Sequence, residues 1–445
     1  MILKEEEARA VIQKVISYSK ADSVIVNLSG GDSLNLRFAL NTVSTCGADD
    51  TVNVSITSNK GRKSGTVDIT SIEEGELEKA VKISEEIAGY SPDNEEFMPP
   101  PGKQNDYAAV KEYFQETAEI SPENISEKIS YTLKKAEEKN LTSYGYFEKK
   151  SAFKAIGNSN DLFAYHNKTE SRFSSTMRTP GSNGSAKIDR SYADINLLNI
   201  KKFSDNVAER SLLSIDPIKY EPGKYVTILD NAAVCDMIDN LSGYFSRRSA
   251  DEGRSYFSDR EKGNKTGQKV AGDNVVIYSD PQLPEAPAQP FSGEGIPVYK
   301  TEWITNGILK NLFTGRYWAQ KTNSEYIPYP GNIYMKGTDK SVEDLIASTE
   351  KGIYVSRFWY IRNVDPRQIL FTGLTRDGVF LIENGKIKAP VNNFRFNESP
   401  MNMLNNILDM SVSEKVVGSE TGDAKLVVPA LKLSEFNFST VSDSF

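Results

Sequence analysis

Hydrophobic and polar positions alternate with two different periods along the first hundred residues. Apolar residues recur at helical spacing at Ala8, Val11, Ile12, Val15 and Ile16. This spacing predicts an amphipathic helix. Residues 33–40 and 51–57 alternate apolar and polar side chains, which predicts strands with one buried face. A second helical pattern covers residues 77–87. Together these patterns predict an N-terminal α/β domain over residues 1–98.

The following region predicts helices and then an antiparallel sheet. Proline and glycine are concentrated in residues 92–106, which favours a linker or an extended crossing segment. Helical patterns resume over residues 107–116 and again after Ser121-Pro122, where a serine cap precedes a proline at the first helical position. Short strands separated by turns between residues 141 and 188 indicate an antiparallel meander. A helix near residues 207–213 completes a predicted domain over residues 99–215.

Residues 216–445 are rich in β-branched and aromatic residues, interrupted by glycine and proline. This composition predicts a mostly β domain with a few helices, among them residues 342–348 and 401–410. The stretch Pro281–Pro290 favours a long surface loop. The predicted fold class is therefore α+β, with an N-terminal α/β region built on an antiparallel sheet and a C-terminal β-rich domain.

Charge and targeting signals narrow the possible partners. The net charge is −8 over 445 residues, and a protein that binds DNA usually needs a basic surface to neutralise phosphates. The sequence contains no apolar run long enough to span a bilayer, and its acidic start does not resemble a secretory signal. Cys46 and Cys235 are far apart, which favours two reduced, buried thiols. We therefore expect a soluble cytoplasmic protein that binds neither membrane nor nucleic acid directly.

The residues alone nominate no catalytic site. The chain contains one histidine, His166, and two distant cysteines, which is too few donors for an ordinary zinc site. His166 is expected near a strand end with a hydrogen-bonded partner. The sequence shows no nucleophile elbow, no phosphate-binding loop and no EF-hand spacing, although a site made of carboxylates alone remains open.

Several stretches nevertheless resemble one known family. In the N-terminal region they are residues 37–41, 52–56, 61–65 and 80–88. In the C-terminal region they are residues 252–257, 267–271, 275–281, 291–297, 306–309, 316–319, 341–346, 352–355, 371–373, 382–387 and 390–391. Their order and spacing resemble the TldD/PmbA family, peptidase-related proteins long labelled modulators of DNA gyrase.

The resemblance implies a zinc peptidase in the active branch of that family. Active members carry a His-Glu-x-x-x-His helix and a further cysteine near the C-terminus. In this chain the segment of residues 231–243 stands at the motif position, with Ile238 and Gly243 in place of the histidines and Asp239 near the glutamate. No cysteine follows Cys235. We therefore expect no metal and no cofactor in this chain.

The metal-free branch, similar to PmbA or TldE, pairs with an active TldD-like subunit and acts on unfolded peptides. The leading hypothesis is that this chain is such a subunit, as a heterodimer or with itself as a homodimer, with zinc only in an active partner. Candidate residues lining a peptide cleft are Asp236, Asp239, Arg254, Phe257 and Glu294. The alternative for these residues is structural: a solvated helix face for the two aspartates and the core for Phe257. The alternatives for function are an autonomous metallopeptidase with unusual ligands, or a non-enzymatic binding protein of the gyrase and toxin pathway.

Overall fold

The computed structural model describes residues 1–442, which fold into two lobes. The N-terminal lobe contains, in order, α1 (Glu5–Tyr18), β1 (Ser23–Ala39), β2 (Thr42–Lys60), β3 (Lys63–Ile69), α2 (Glu74–Tyr90), α3 (Gln115–Ala118), α4 (Pro122–Glu138), β4 (Thr142–Asn158), β5 (Phe163–Arg178), β6 (Ser185–Tyr192) and α5 (Ile200–Leu213). The C-terminal lobe contains β7 (Gly223–Leu229), α6 (Asn231–Ser242), α7 (Arg247–Asp251), β8 (Ser258–Asp259), β9 (Gly263–Asn264), β10 (Val276–Ser279), β11 (Thr301–Thr305), β12 (Ile308–Leu309), α8 (Arg316–Thr322), β13 (Ile333–Met335), α9 (Val342–Ala347), β14 (Lys351–Asp365), β15 (Leu370–Glu383), β16 (Lys386–Pro390), β17 (Asn393–Glu398), α10 (Pro400–Asn405), β18 (Ile407–Met410), β19 (Glu414–Val416), β20 (Leu426–Val428) and β21 (Leu431–Ser442). The mixture confirms the predicted α+β class.

One antiparallel sheet forms the centre of the N-terminal lobe, in the order β3-β2-β1-β4-β5-β6. Strands β1 and β2 form a single long hairpin, turned by Leu40 and Asn41 at positive φ angles. The predicted strands at 33–40 and 51–57 are parts of these longer strands. Because β4 pairs along β1, the sheet joins residues from the predicted domains 1–98 and 99–215 into one structural unit.

The helices cover one face of this sheet. Val26 and Leu28 of β1 are fully buried in a core shared with α1 and α2. Phe147 of β4 and Phe173 of β5 are fully buried in a second core that contains side chains of α4 and α5. Burial of each such side chain stabilises the fold by about 1.5–3 kcal/mol. The opposite, more polar face of the sheet is left to meet the C-terminal lobe.

The segment around residue 120 contains one confirmed and one wrong prediction. Ser121 caps α4 by accepting a hydrogen bond from the Asn124 N–H at 3.2 Å, as the Ser-Pro signal predicted. The predicted helix over residues 107–116 is wrong, because helix α3 covers only Gln115–Ala118. Residues before it are extended and bond to β5 instead: the Thr169 N–H donates to the carbonyl oxygen of Glu112 at 3.0 Å. A tertiary contact has replaced the local helix.

The C-terminal lobe is built on a closed ring of strands. Strands β14-β7-β21-β17-β15 are neighbours, and β15 pairs again with β14. The β7–β14 pairing is parallel, and the other pairings of the ring are antiparallel. A second sheet has the order β12-β11-β10-β13-β20-β19. Helix α6 packs against β14 of the ring and β20 of the second sheet, so it lies between the two.

Three further predictions for this lobe and for the thiols are corrected by the structure. Residues 281–290 are not a free surface loop, since several of their side chains are buried and the Asn332 amide donates to the carbonyl oxygen of Ala286 at 2.6 Å. The predicted helix over residues 401–410 ends at Asn405 and is followed by strand β18. Cys46 is exposed, whereas Cys235 is buried as expected. None of the helices in residues 1–442 is both long and apolar enough to cross a bilayer.

Candidate functional site

Helix α6 occupies the segment in which active family members would carry their zinc-binding motif. Its N-terminus is capped by Asp230, whose carboxylate accepts a hydrogen bond from the Asn231 N–H at 2.9 Å. Most of its side chains are buried, including Val234, Met237 and Leu241. The helix is therefore a core element, and its two acidic residues do not lie on a broad solvated face.

The carboxyl group of Asp236 is almost completely buried, with 1% of the residue exposed. Its Oδ1 accepts a hydrogen bond from the Ser419 N–H at 2.7 Å, while Oδ2 has no hydrogen-bond partner within the described chain. Burial raises the pKa of Asp236 to about 7. Gly418 permits this approach, because a Cβ at that position would lie 2.3 Å from Asp236 Oδ1. The alternative of a solvated Asp236 is wrong.

The two positions at which the resemblance implies histidines in active members carry no metal ligand here. Ile238 is 1% exposed and belongs to the main core of the lobe. Gly243 follows the helix and is exposed. Neither position therefore offers a side chain that could bind a metal ion. Asp239, between them in sequence, is partly buried, and burial raises its pKa to about 6.

The donor set around α6 does not fit a zinc ion. Burial, and then the nearby charge of Asp236, raise the pKa of the Cys235 thiol well above its usual value, so the thiol stays protonated. Its sulfur lies 3.8 Å from the carbonyl oxygen of Val416. Across residues 1–442 no group of three or more His, Cys, Asp or Glu side chains is arranged to hold a metal ion. The side chains around α6 therefore offer no ligand set for zinc-dependent chemistry.

The remaining three cleft candidates lie in separate surroundings. Phe257 is fully buried and stacks on Phe245 with ring centroids 5.5 Å apart, which confirms its structural alternative. Arg254 is exposed, and its Nε donates to the Glu252 carboxylate at 3.0 Å. Glu294 is exposed on the loop before β11, with Oε1 3.6 Å from a guanidinium nitrogen of Arg316. The structure does not bring the five candidates into one site.

Glu294 borders a cavity of about 480 Å³ where the two lobes meet. The extended segment after α2 forms one wall, and Glu96 in that segment accepts two hydrogen bonds from Arg248 at 2.7 and 2.8 Å. Arg316 of α8 donates to the carbonyl oxygen of Pro99 at 2.8 Å. The segment predicted as a linker thus ties the lobes together.

A larger cavity of about 630 Å³ lies over the polar face of the N-terminal sheet. At one end, the Nε2 atom of His166 is 2.8 Å from Oε2 of Glu112, and Lys425 donates a hydrogen bond to the other carboxylate oxygen. Burial alone would raise the pKa of Glu112, but the hydrogen bond from His166 and the charge of Lys425 outweigh it and lower the pKa. His166 has a hydrogen-bonded partner, as predicted, although it lies within β5 and not at its end.

Sequence reasoning missed this cavity. The signal was present in part, since polar side chains alternate along β4 and β5 at Lys150, Lys154, His166 and Lys168. That alternation marks a polar sheet face but does not show what covers it. Glu112 and Lys425 are 313 residues apart, so no local pattern connects them.

Comparison with known proteins adds the evolutionary context. Residues 222–440 match the family model described as the PmbA/TldA metallopeptidase C-terminal domain. A protein named Metalloprotease PmbA from Escherichia coli O157:H7 is 24% identical over 68% of this chain and 66% of its own length. A protein named Metalloprotease from Methanothermobacter thermautotrophicus is 26% identical over 32% of this chain and 34% of its own. The chain thus aligns with less than two thirds of either curated relative.

The fold is similar to that of the solved TldE from Thermococcus kodakarensis. The TM-score is 0.86 at 17% identity, over 97% of this chain and 99% of the other. The match over residues 222–440 is to a domain of a class described as metallopeptidases. The chain belongs to the TldD/PmbA family, as its sequence motifs predicted.

Proposed function

We propose that this chain is the metal-free, TldE-like subunit of a cytosolic heteromeric zinc metallopeptidase that acts on unfolded peptides. The observation that carries the proposal is helix α6, where Ile238 is committed to the core and Gly243 provides no side chain. Without imidazole or thiolate ligands the chain lacks the means to activate water on zinc. In this proposal the catalytic metal belongs to a TldD-like partner.

The similarity to a solved TldE over nearly the whole chain supports this assignment. The curated relatives are named metalloproteases, which supports a peptidase pathway and keeps an autonomous peptidase as the rival. A gyrase-directed DNA-binding role is not favoured, because the net charge is −8.

A subunit of this kind would help to hold an extended peptide by its backbone. Free strand edges can pair with a peptide of almost any sequence. The C-terminal lobe offers only short edges within the described residues, such as β12 and β19. The longer edge is on β2, where residues 42–53 pair with β1 on one side and extend beyond β3. We therefore propose β2 as the peptide-pairing edge.

The test is a peptidase assay with the full chain alone, with a TldD-like protein carrying His-Glu-x-x-x-His, and with both together. We expect no hydrolysis by this chain, and more hydrolysis by the mixture than by the partner alone. Metal analysis of the purified chain is expected to find zinc well below one equivalent. Stoichiometric, tightly held zinc together with chelator-sensitive hydrolysis by this chain alone would refute the proposal and establish the autonomous peptidase.

One variant in each subunit tests which subunit catalyses peptide hydrolysis. Replacing the motif glutamate of the partner with glutamine is expected to abolish hydrolysis by the mixture, because the general base is lost. Asp239→Asn in this chain changes the residue nearest the corresponding position and is expected to leave hydrolysis intact. The opposite pattern would assign the reaction to this chain.

A further inference from the structure

The cavity of about 630 Å³ has a floor set by the strand register of the N-terminal sheet. Ala152 of β4 stands between Gly31 of β1 and Lys168 of β5, and Lys154 is opposite His166. Gly31 and Ala152 are small, so the centre of the floor leaves room for a ligand. The volume is within the range of sites for small molecules.

Two cations in this cavity lack an anionic partner. Lys150 forms an ion pair with Glu148 at 2.7 Å, and Lys425 pairs with Glu112. In the part of the chain that the structure describes, Lys154 and Lys168 also line the cavity but make no ion pair or hydrogen bond. Burial, and then the charge of Lys168, lower the pKa of Lys154. The ammonium group of Lys168 is therefore close enough to disfavour the charged form of Lys154.

A third cation is held rigidly at the end of the same cavity. The Lys425 ammonium donates to the carbonyl oxygen of Pro287 at 2.6 Å as well as to Glu112. Burial lowers the pKa of Lys425, Glu112 opposes this effect, and Lys168 adds to the lowering. Glu112 also forms a hydrogen bond with His166, so the same carboxylate is shared between Lys425 and His166.

The acidic residues that line the cavity do not cancel this positive charge. Asp32 is engaged by Lys149. Asp49 and Asp423 border the cavity but are exposed, so water and salt screen them. No metal-binding cluster of these acids is found among residues 1–442. The unsatisfied charge inside the cavity is therefore positive, and it favours an anionic ligand.

We propose that this cavity binds a small organic oxyanion, a carboxylate or a phosphate ester, with Lys154 and Lys168 as its charged contacts. Lysine acts as a point charge and accepts either anion, whereas arginine, absent from the described lining, would select planar bidentate geometry. The ligand relieves the repulsion between the two ammonium groups. This inference does not depend on the proposed peptidase role.

The test is calorimetric titration of the full chain at low ionic strength with three probes. These are inorganic phosphate, tetra-alanine with a free C-terminal carboxylate, and tetra-alanine amide. We expect phosphate, the free-acid peptide or both to bind, and the amide to fail. Binding of phosphate alone identifies a phosphate ligand, and binding of the free acid alone identifies a carboxylate ligand. The double variant K154Q/K168Q is expected to weaken binding by about tenfold or more, since two charge-assisted contacts are lost.

Matched variants separate the site from general charge effects. K128Q/K134Q removes two exposed lysines of α4 and the same net charge, and it should bind as the wild type does. A152L fills the floor without changing charge and should block binding, while K154R/K168R keeps the charge and should retain it. If circular dichroism shows that K154Q/K168Q does not fold, the comparison of A152L with K154R/K168R tests the proposal instead. The proposal is overturned if neither anion binds the wild type, or if binding survives both K154Q/K168Q and A152L.

Discussion

The carboxyl group of Asp236 is removed from water with no cation in direct contact, and one of its oxygens has no hydrogen-bond partner in the described chain. Burial raises its pKa to about 7, against about 3.9 in an unfolded chain. Between these two values the unfolded chain is ionised at this residue while the folded chain is still protonated. Stability therefore falls as the pH rises from about 4 to about 7 and stays reduced above that range.

Asp236→Asn is expected to stabilise the protein at alkaline pH, because the amide keeps the Oδ1 acceptor and removes the buried charge. The gain should be on the order of 4 kcal/mol at pH 8 and should vanish near pH 4. Urea unfolding of the wild type and the variant at both pH values measures it. Asp106→Asn, on an exposed extended segment, is the control and should show no pH-dependent gain. A variant that is less stable than the wild type at pH 8 would contradict the expected cost of ionising Asp236 in the folded chain.

Helix α2 packs closely against strand β3 at Gly65. A Cβ at Gly65 of β3 would lie 2.2 Å from the carbonyl oxygen of Ser84 and 2.4 Å from the backbone nitrogen of Ala88. Both atoms belong to the backbone of α2, so a side-chain rotation cannot relieve the clash. The buried hydroxyl pair of Ser58 and Ser84, 2.7 Å apart, further fixes the helix on the sheet.

Gly65→Ala is expected to destabilise the protein by about 1–3 kcal/mol, because the added methyl group forces α2 away from β3. The melting temperature and the urea midpoint should both fall. Gly89→Ala on the same helix is the matched control, since a Cβ there meets no atom within 4 Å. Alanine at residue 89 should leave stability unchanged or slightly raise it through helix propensity. Equal effects at the two positions would contradict the close-packing argument.

The two lobes are joined by an ion pair between buried Asp230, at the start of α6, and the half-exposed side chain of Arg210. Asp230 Oδ2 lies 2.8 Å from a guanidinium nitrogen of Arg210 in α5, and it also accepts a hydrogen bond from the Tyr354 hydroxyl of β14. Burial alone would raise the pKa of Asp230, but the charge of Arg210 and these hydrogen bonds lower it. A lowered pKa contributes stability above the unfolded value, and that contribution is lost as the pH falls.

Asp230→Asn is expected to cost about 1–3 kcal/mol at pH 7, because it removes a charge-assisted pair whose arginine side chain is still 41% exposed to water. The difference from the wild type should shrink as the pH falls below about 4. In that range the unfolded chain takes up a proton at this residue, so the charged carboxylate of the folded chain contributes less to stability. Guanidinium chloride would screen the pair, so urea unfolding is the suitable measurement. Arg254→Ala, which breaks an exposed pair with Glu252, is the control and should leave the unfolding free energy unchanged. A similar loss of unfolding free energy in both variants would contradict a special role for the pair of Asp230 and Arg210.

Some features follow from the sequence because they depend on neighbours along the chain. The Ser121-Pro122 cap and the helical spacing near residue 12 predict α4 and α1 through hydrogen bonds and contacts within a few residues. The meander over residues 141–188 follows from alternation broken by turns, although the short predicted strands are fused into β4 and β5. The count of one histidine and two cysteines likewise limits metal chemistry through residue type alone.

Other features depend on groups that only the folded chain brings together. Residues 107–114 are extended and not helical, because β5 forms hydrogen bonds with their backbone. The burial of Asp236 is set by the distant loop at Gly418 and Ser419. The five predicted cleft residues come from three stretches of the sequence, and the fold does not bring them to a common surface.

The sequence by itself determined the α+β class, the family and the shortage of imidazole and thiolate donors, since these reside in residue type, local period and ordered motifs. Tertiary structure alone decided the closed ring of strands, the union of β1–β6 in one sheet, and the cavity where Glu112 meets His166 and Lys425. The reason is physical: propensity acts over a few residues, whereas desolvation and charge pairing depend on whichever side chains the completed fold brings within a few ångströms.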